Sequence, residues 1–121
     1  MRIQVNDVSL WFEVDGLRYV VGEDGELEER PTVVLVHGGP GIDTGPMMRN
    51  LSAMLNPVAQ VVFYDQRGNG RSDWSSADHW TLEQWADDLH AFCDALGIEK
   101  PIVIGGSFGG MVTQVYAGRH P

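Results

Sequence analysis

One serine lies in a sequence pattern that can make its hydroxyl a nucleophile. Residues Gly105–Gly109 read Gly-Gly-Ser-Phe-Gly, which fits the G-x-S-x-G pattern of a nucleophile held on a sharp turn between a strand and a helix. Glycines two positions either side of Ser107 let neighbouring backbone approach closely. The Phe108 amide would face the oxyanion that develops when Ser107 attacks a carbonyl. The pattern predicts covalent acyl transfer by Ser107.

A second glycine-rich turn suits the same chemistry. Residues His37–Gly41 read His-Gly-Gly-Pro-Gly and directly follow an apolar run. Glycine lets backbone come within hydrogen-bonding distance of a substrate, so the Gly39 amide, or less readily that of Gly38, is the second candidate oxyanion donor. The residues expected to support this loop are His37, Gly38, Pro40 and Gly41. A tight turn without a ligand is the alternative interpretation.

Both turns follow segments typical of strands covered on two faces. Apolar runs predict buried strands over Thr32–Val36, Gln60–Tyr64 and Pro101–Ile104. Helices are predicted between them, and from Ser107 to about Gly118. This alternation implies an α/β fold, a parallel sheet of βαβ units with helices on both faces. Such sheets bind ligands at the carboxyl ends of their strands, so both turns should meet in one crevice.

The first 30 residues are predicted to form a hairpin and an acidic loop. Arg2–Val5 and Val8–Val14 are short apolar-rich runs that suit a hairpin. Leu17–Val21 is a candidate third strand. Gly22–Glu29 reads as an exposed loop with solvated charges.

A helix before Asn56-Pro57 is predicted from its cap and its apolar spacing. Thr44 is the candidate cap, with Pro46 in the first turn. Five apolar side chains at helical spacing are expected to face the core: Met47, Met48, Leu51, Met54 and Leu55.

The best-defined helix is predicted to begin at Thr81, which opens a capping box, and to end at Gly97. Its apolar stripe contains Cys93, which is expected to be an inert buried thiol. His90 and its nearby acids lack the spacing of a zinc site, so a solvated helix surface is expected. Those acids are Asp87, Asp88 and Asp94.

Composition excludes several classes of protein. The 121 residues suffice for one domain, and no apolar run approaches the ~20 residues that span a bilayer. A net charge of −9 repels nucleic acid. The single cysteine and the absence of a secretory signal lead us to expect a cytoplasmic protein. Neither a dinucleotide-binding G-x-G-x-x-G nor a P-loop occurs, so no cofactor or metal is expected.

Residues 31–121 resemble the α/β-hydrolase superfamily, and within it the proline iminopeptidase-like serine peptidases. The segments that carry this resemblance are His37–Gly41, Tyr64–Ser72 and Gly105–Gly110, in this order. The middle segment is mostly a structural turn in the family, which implies that Asp65 and Arg67 are scaffolding.

The resemblance also implies roles at the site. Ser107 would be the nucleophile on a nucleophile elbow, and the amides of Gly39 and Phe108 would form the oxyanion hole. His37 would orient the oxyanion loop and would not be the catalytic base. The implied reaction is that of an aminopeptidase on a peptide or amide with a free amino-terminal residue, often proline.

The other members of a catalytic triad do not follow Ser107. In α/β hydrolases the acid and the histidine come after the nucleophile, yet no Asp or Glu occurs after Ser107. The later histidine, His120, would lie ~20 Å away along a helix. His37 backed by Asp65 would break the chain order. We therefore expect this chain to be a fragment of a longer hydrolase or a truncated reading frame, inactive alone.

Residues 1–121 are thus expected to be a single incomplete α/β-hydrolase domain, the amino-terminal part of that fold. Residues 1–30 would form the hairpin and acidic loop, and residues 31–121 the βαβ core with both functional turns. About five strands are expected. The apolar edge at Pro101–Ile104 would lack a neighbour, which invites self-association.

Two other functions stay open. An ester or lactone substrate on the same scaffold would make the protein a carboxylesterase or lactonase. A non-catalytic protein that keeps the pocket to bind small molecules is the second alternative. The expected partner is a small-molecule or peptide substrate.

Overall fold

A computed structural model describes all of residues 1–121 as seven strands and three α-helices. The strands are β1 (Arg2–Val5), β2 (Val8–Asp15), β3 (Tyr19–Val21), β4 (Leu27–Glu29), β5 (Thr32–Val36), β6 (Gln60–Tyr64) and β7 (Ile102–Gly105). The helices are α1 (Pro46–Leu55), α2 (Leu82–Ala95) and α3 (Phe108–Arg119), with a short 3-10 turn at Ala77–His79. None of these helices combines the length and the apolar character needed to cross a membrane.

Five strands form one mixed sheet in the order β1-β2-β6-β5-β7. β5 is parallel to both of its neighbours, β6 and β7, whereas β2 joins β6 antiparallel. An amino-terminal hairpin followed by parallel βαβ strands was predicted, and this architecture is confirmed. The register places the carboxyl ends of the parallel strands together, with Val36 beside both Tyr64 and Gly105.

Alternate residues of β5 face two helical layers. Val34 and Val36 belong to a core cluster that includes residues of α2 and α3. Val33 and Leu35 face the other side and pack in a second cluster with Met48 of α1. Because β5 is covered on both faces, all five of its residues are buried. The prediction of helices on both faces is confirmed.

β7 forms one edge of the sheet and is less buried than the sequence predicts. Only β5 pairs with it, and Ile102 is 50% exposed. The strand exists as predicted, but its burial was overestimated because an edge strand has one paired side. Self-association through this edge stays a prediction.

The segment between β2 and β5 contains more regular structure than predicted. β3 is the candidate third strand, and it pairs antiparallel with β4 in a small separate sheet. The expectation of a structureless loop over Gly22–Glu29 is therefore wrong for Leu27–Glu29. All residues of β4 are exposed. Backbone pairing therefore stabilises this strand, and its sequence has no apolar periodicity from which a strand could be predicted.

Helix α1 differs from the prediction in its cap and in its buried face. Gly45 is the N-cap without a side-chain hydrogen bond, whereas the Thr44 hydroxyl donates to the Tyr64 carbonyl oxygen at 3.0 Å. Met48 is buried, but Met47 is 78% and Met54 75% exposed. Apolar residues occur on both sides of this short helix, so their spacing alone could not select the face that packs on the sheet.

The loop after β6 is attached to α2 by a buried ion pair. Arg67 Nε donates to Asp88 Oδ2 at 2.7 Å, and both side chains are buried. The expectation that Asp88 lies on a solvated surface is wrong, because its carboxylate turns inward to neutralise Arg67. The predicted cap of α2 is confirmed, since Thr81 Oγ1 accepts from the Gln84 amide at 3.1 Å.

Cys93 lies in the core, as predicted, with 2% of its surface exposed. Burial raises the pKa of its thiol to about 12. The thiol is therefore protonated at neutral pH and a poor nucleophile.

Helix α3 starts in direct contact with the end of β5. A Cβ added at Gly109 would lie 2.2 Å from the Val36 carbonyl oxygen, and one added at Gly105 would lie 2.3 Å from the Gly109 carbonyl oxygen. No side chain fits at such distances. The predicted close approach of backbone at both glycines is confirmed.

Replacing Gly109 by Ala should lower the free energy of unfolding by about 2 kcal/mol, as overpacking does, because the methyl group forces α3 away from β5. Gly118→Ala is the matched control, since Gly118 lies in the same helix with open space around it. That variant should keep or raise stability, by up to about 1 kcal/mol. Urea-unfolding midpoints compare the two, and equal midpoints would contradict the close contact at Gly109.

Candidate active site

Ser107 occupies the sharp turn between β7 and α3. Its backbone has φ +53° and ψ −120°, in a region that residues other than glycine rarely adopt. The Gly106 amide donates to the Val36 carbonyl oxygen at 3.3 Å, and the Gly109 amide donates to that of Gly106 at 2.9 Å. A strained backbone conformation of this kind persists where surrounding contacts hold it in place. The turn leaves Ser107 exposed at the carboxyl edge of the sheet.

The glycine loop, residues His37–Gly41, lies against this turn. A Cβ added at Gly38 would lie 3.5 Å from the Ser107 Cβ and 3.3 Å from the Gly106 carbonyl oxygen. The proximity follows from the parallel pairing of β5 with β7, since each strand delivers one of the two turns. The structure brings together the two motifs that the sequence singles out.

Backbone amides beside Ser107 are left without a protein acceptor. Gly39, at φ +116°, donates no hydrogen bond within the chain. Phe108 is the first residue of α3, and amides of a first helical turn have no intrahelical partner. The Phe108 ring packs edge-on against Trp85, with centroids 4.8 Å apart. Unpaired N–H groups next to a hydroxyl are suited to binding a negatively charged oxygen.

His37 is buried beneath the loop and both of its ring nitrogens are engaged. Nε2 accepts from the Gln66 amide at 3.0 Å, so the proton resides on Nδ1, which donates to the Gly38 carbonyl oxygen at 2.6 Å. Burial lowers the pKa of His37 below its usual range. The Gln66 side-chain amide adds a hydrogen bond to the His37 carbonyl oxygen at 3.0 Å. His37 therefore has no free nitrogen to offer Ser107.

The loop after β6 holds the far end of the glycine loop. Asn69 Oδ1 accepts from the Gly41 amide at 2.6 Å, and Asp65 Oδ1 accepts from the Thr44 amide at 2.8 Å. Arg71 pairs with Asp65 at 2.8 Å, and hydrogen bonds from Arg71 help to keep the pKa of the buried carboxyl below its usual value, against the effect of burial. Sequence reasoning missed Asn69, because a lone Asn between glycines carries no signal of its distant partner.

A cavity of about 460 Å³ opens beside Ser107. Its walls come from the glycine loop, the start of α1 and the Ser107 turn. Ile42 and Met47 add apolar surface, and Asp43 is the one acidic side chain among the lining residues. The cavity can thus accommodate a small organic group next to the serine hydroxyl.

The only histidine after Ser107 is engaged elsewhere. His120 Nε2 lies 2.8 Å from Asp87 Oδ1, and its ring stacks on His90 with centroids 4.0 Å apart. His90 is accordingly only partly exposed. No three His, Cys, Asp or Glu side chains converge in an arrangement that could hold a metal ion.

Known proteins with similar sequences and structures include hydrolases. The chain is 33% identical over 115 residues to the proline iminopeptidase of Neisseria gonorrhoeae, covering 93% of this chain and 36% of that protein. The crystal structure of the Mycobacterium smegmatis proline iminopeptidase is 31% identical, with a TM-score of 0.82 over 100% of this chain and 40% of that one. The enol-lactonase of Burkholderia xenovorans LB400 is 28% identical, with a TM-score of 0.81 over 99% of this chain and 42% of that one.

The chain spans about a third of the length of the curated relatives that it matches. The sequence model of the family described as alpha/beta hydrolase fold matches residues 31–121, which include every strand and helix of the site. The parallel strands, the Ser107 turn and the glycine loop agree with that match, and the chain belongs to the alpha/beta hydrolase fold family.

Proposed function

We propose that the protein is a serine hydrolase that acts by acyl transfer, with Ser107 as nucleophile. The observation that carries this proposal is the exposed Ser107 turn, at φ +53°, beside the unpaired amide of Gly39. Because Ser107 is exposed, its hydroxyl is not needed for packing, and alanine could take the same place in the fold. Strained backbone at a solvent-exposed serine favours a functional explanation.

The reaction begins when Ser107 Oγ forms a bond to the substrate carbonyl carbon and loses its proton to a base. The carbonyl oxygen takes the negative charge and accepts hydrogen bonds from the amides of Gly39 and Phe108. The carbon–nitrogen or carbon–oxygen bond then breaks, and the leaving group takes the proton from the base. Water then attacks the acyl-enzyme through the same series of steps and releases the carboxylic acid.

The base is proposed to come from outside residues 1–121. Both nitrogens of His37 are engaged, and His120 is held by Asp87. In this mechanism His37 is a positioning residue, because it fixes the start of the glycine loop and does not exchange a proton with Ser107.

An aminopeptidase of the proline iminopeptidase type is the substrate class that we favour. The likeness to two proline iminopeptidases supports it, and so does Asp43, the acidic residue among those that line the cavity, since a negative charge there attracts a protonated amine. Hydrolysis of an ester or lactone is the alternative, supported by the likeness to an enol-lactonase.

Treatment of the full-length hydrolase, which includes the proposed base outside residues 1–121, with a fluorophosphonate should produce one adduct, on Ser107, because the base activates a hydroxyl that is exposed next to a site for the developing negative charge. Peptide mass spectrometry locates the adduct. Ser107→Ala should abolish it. Ser75→Ala is the matched control, since Ser75 is also an exposed serine with positive φ, at +51°, but is outside the cavity. An unlabelled Ser107 in a folded sample would contradict the proposed function and favour a non-catalytic binding protein.

Acidification should destabilise the protein through His37. Its pKa is lowered in the folded state, so its stabilising effect is complete above the unfolded value of about 6.5 and is lost as the pH falls below it. One such group contributes a slope of up to about 1.4 kcal/mol per pH unit. Urea unfolding between about pH 7.5 and pH 5 measures this slope.

His37→Gln should reduce the dependence of the free energy of unfolding on pH. His90→Gln, on the partly exposed surface of α2, should leave that dependence unchanged. The same slope in His37→Gln as in the wild type would show that His37 does not hold the loop as a neutral ring.

A further inference from the structure

We infer that Asn69 is a positioning residue for the oxyanion site, because it fixes the distal end of the loop that carries the Gly39 amide. This inference rests on the proposed function and adds a residue to it. Asn69 belongs to the loop after β6 and does not line the cavity at Ser107. It therefore acts through the glycine loop and not on the substrate.

Both ends of the Asn69 carboxamide are used. Oδ1 accepts from the Gly41 amide at 2.6 Å, and Nδ2 donates to the Arg67 carbonyl oxygen at 2.8 Å. The residue is 1% exposed, so these bonds are shielded from water, and breaking one leaves a buried polar group unsatisfied. Arg67 is itself held by Asp88, which connects Asn69 to a rigid part of the core.

The glycine loop has few other restraints. Between Gly38 and Asp43, the Gly41 amide is the only one that donates a hydrogen bond to the protein. Gly39 and Gly41 have φ of +116° and +88°, and glycine at such angles has many alternative conformations. The peptide that carries the Gly39 amide is held at its carbonyl oxygen by His37 Nδ1. Without a tie at Gly41, no hydrogen bond from a backbone amide holds the loop after Gly39.

The position of Gly39 between two anchors explains the need for Asn69. His37 fixes the residues before Gly39 through Gln66, and Asn69 fixes Gly41, two residues after it. An oxyanion donor must point at the oxygen of the transition state, and a displacement of about 1 Å can cost a factor of about 100 in rate. One anchor on each side of the Gly39 amide provides that precision.

Two variants separate the bond to Gly41 from the rest of the side chain. Asn69→Leu keeps a similar branched shape and removes both hydrogen bonds. Asn69→Asp also loses the Nδ2 donor but keeps an oxygen for the Gly41 amide. In Asn69→Asp a carboxylate oxygen faces the Arg67 carbonyl oxygen where Nδ2 donated, which can only weaken the variant. Any recovery of rate in Asp relative to Leu therefore reports the bond to Gly41.

The experiment measures the second-order rate of fluorophosphonate labelling at Ser107 in the full-length hydrolase that includes the proposed base. We expect Asn69→Leu to label at least about tenfold more slowly than the wild type, and Asn69→Asp to recover part of that loss. Cys93 serves as an internal reporter of folding, because its thiol is buried. Its resistance to iodoacetamide in the same samples would show that slow labelling does not come from unfolding.

Equal labelling rates for wild type, Asn69→Leu and Asn69→Asp would overturn the positioning role and leave the proposed function intact. Slow labelling of Asn69→Leu together with an exposed Cys93 would also overturn it, since the residue would then be merely structural. A wild-type chain that is not labelled at Ser107 would overturn the proposed function and the role of Asn69 together.

Discussion

The site depends on one close contact between the start of α3 and the end of β5. Gly109 brings its backbone so near the Val36 carbonyl oxygen that an added Cβ would lie 2.2 Å away. This approach forces the chain to turn sharply after β7, and Ser107 absorbs the turn with a positive φ. The buried β5 strand is a rigid support for it. An exposed hydroxyl at a defined place thus follows from a packing constraint.

A second constraint is supplied by the loop after β6, which contributes no group to the reaction. Gln66 and Asn69 hold the glycine loop from two sides, and Asp65 holds Thr44, two residues before α1. The Arg67–Asp88 pair anchors this loop to α2 in the core. Buried hydrogen bonds of this kind restrict the loop to one conformation, although Gln66 Oε1 and Arg67 Nη1 have no hydrogen-bond partner. Unpaired amides at Gly39 and Phe108 contrast with this network, because their partner is proposed to be the substrate.

Much of this arrangement was predictable from the residues. The apolar runs of β5 and β6 predicted strands covered on both faces, and glycines around Ser107 predicted the tight turn. Sequence reasoning failed where a residue acts through a distant partner. Asp88 resembled a surface acid until the fold placed Arg67 against it, and Thr44 resembled a helix cap although its hydroxyl bonds to Tyr64. The contact of Asn69 with Gly41 joins residues 28 positions apart, which no local pattern encodes.

The most direct test is a crystal structure of the full-length hydrolase, including the proposed base, after phosphonylation by a fluorophosphonate. We expect a phosphorus bonded to Ser107 Oγ, with the phosphonyl oxygen about 2.7–3.1 Å from the amide nitrogens of both Gly39 and Phe108. A phosphonyl oxygen turned toward solvent, away from both amides, would contradict it.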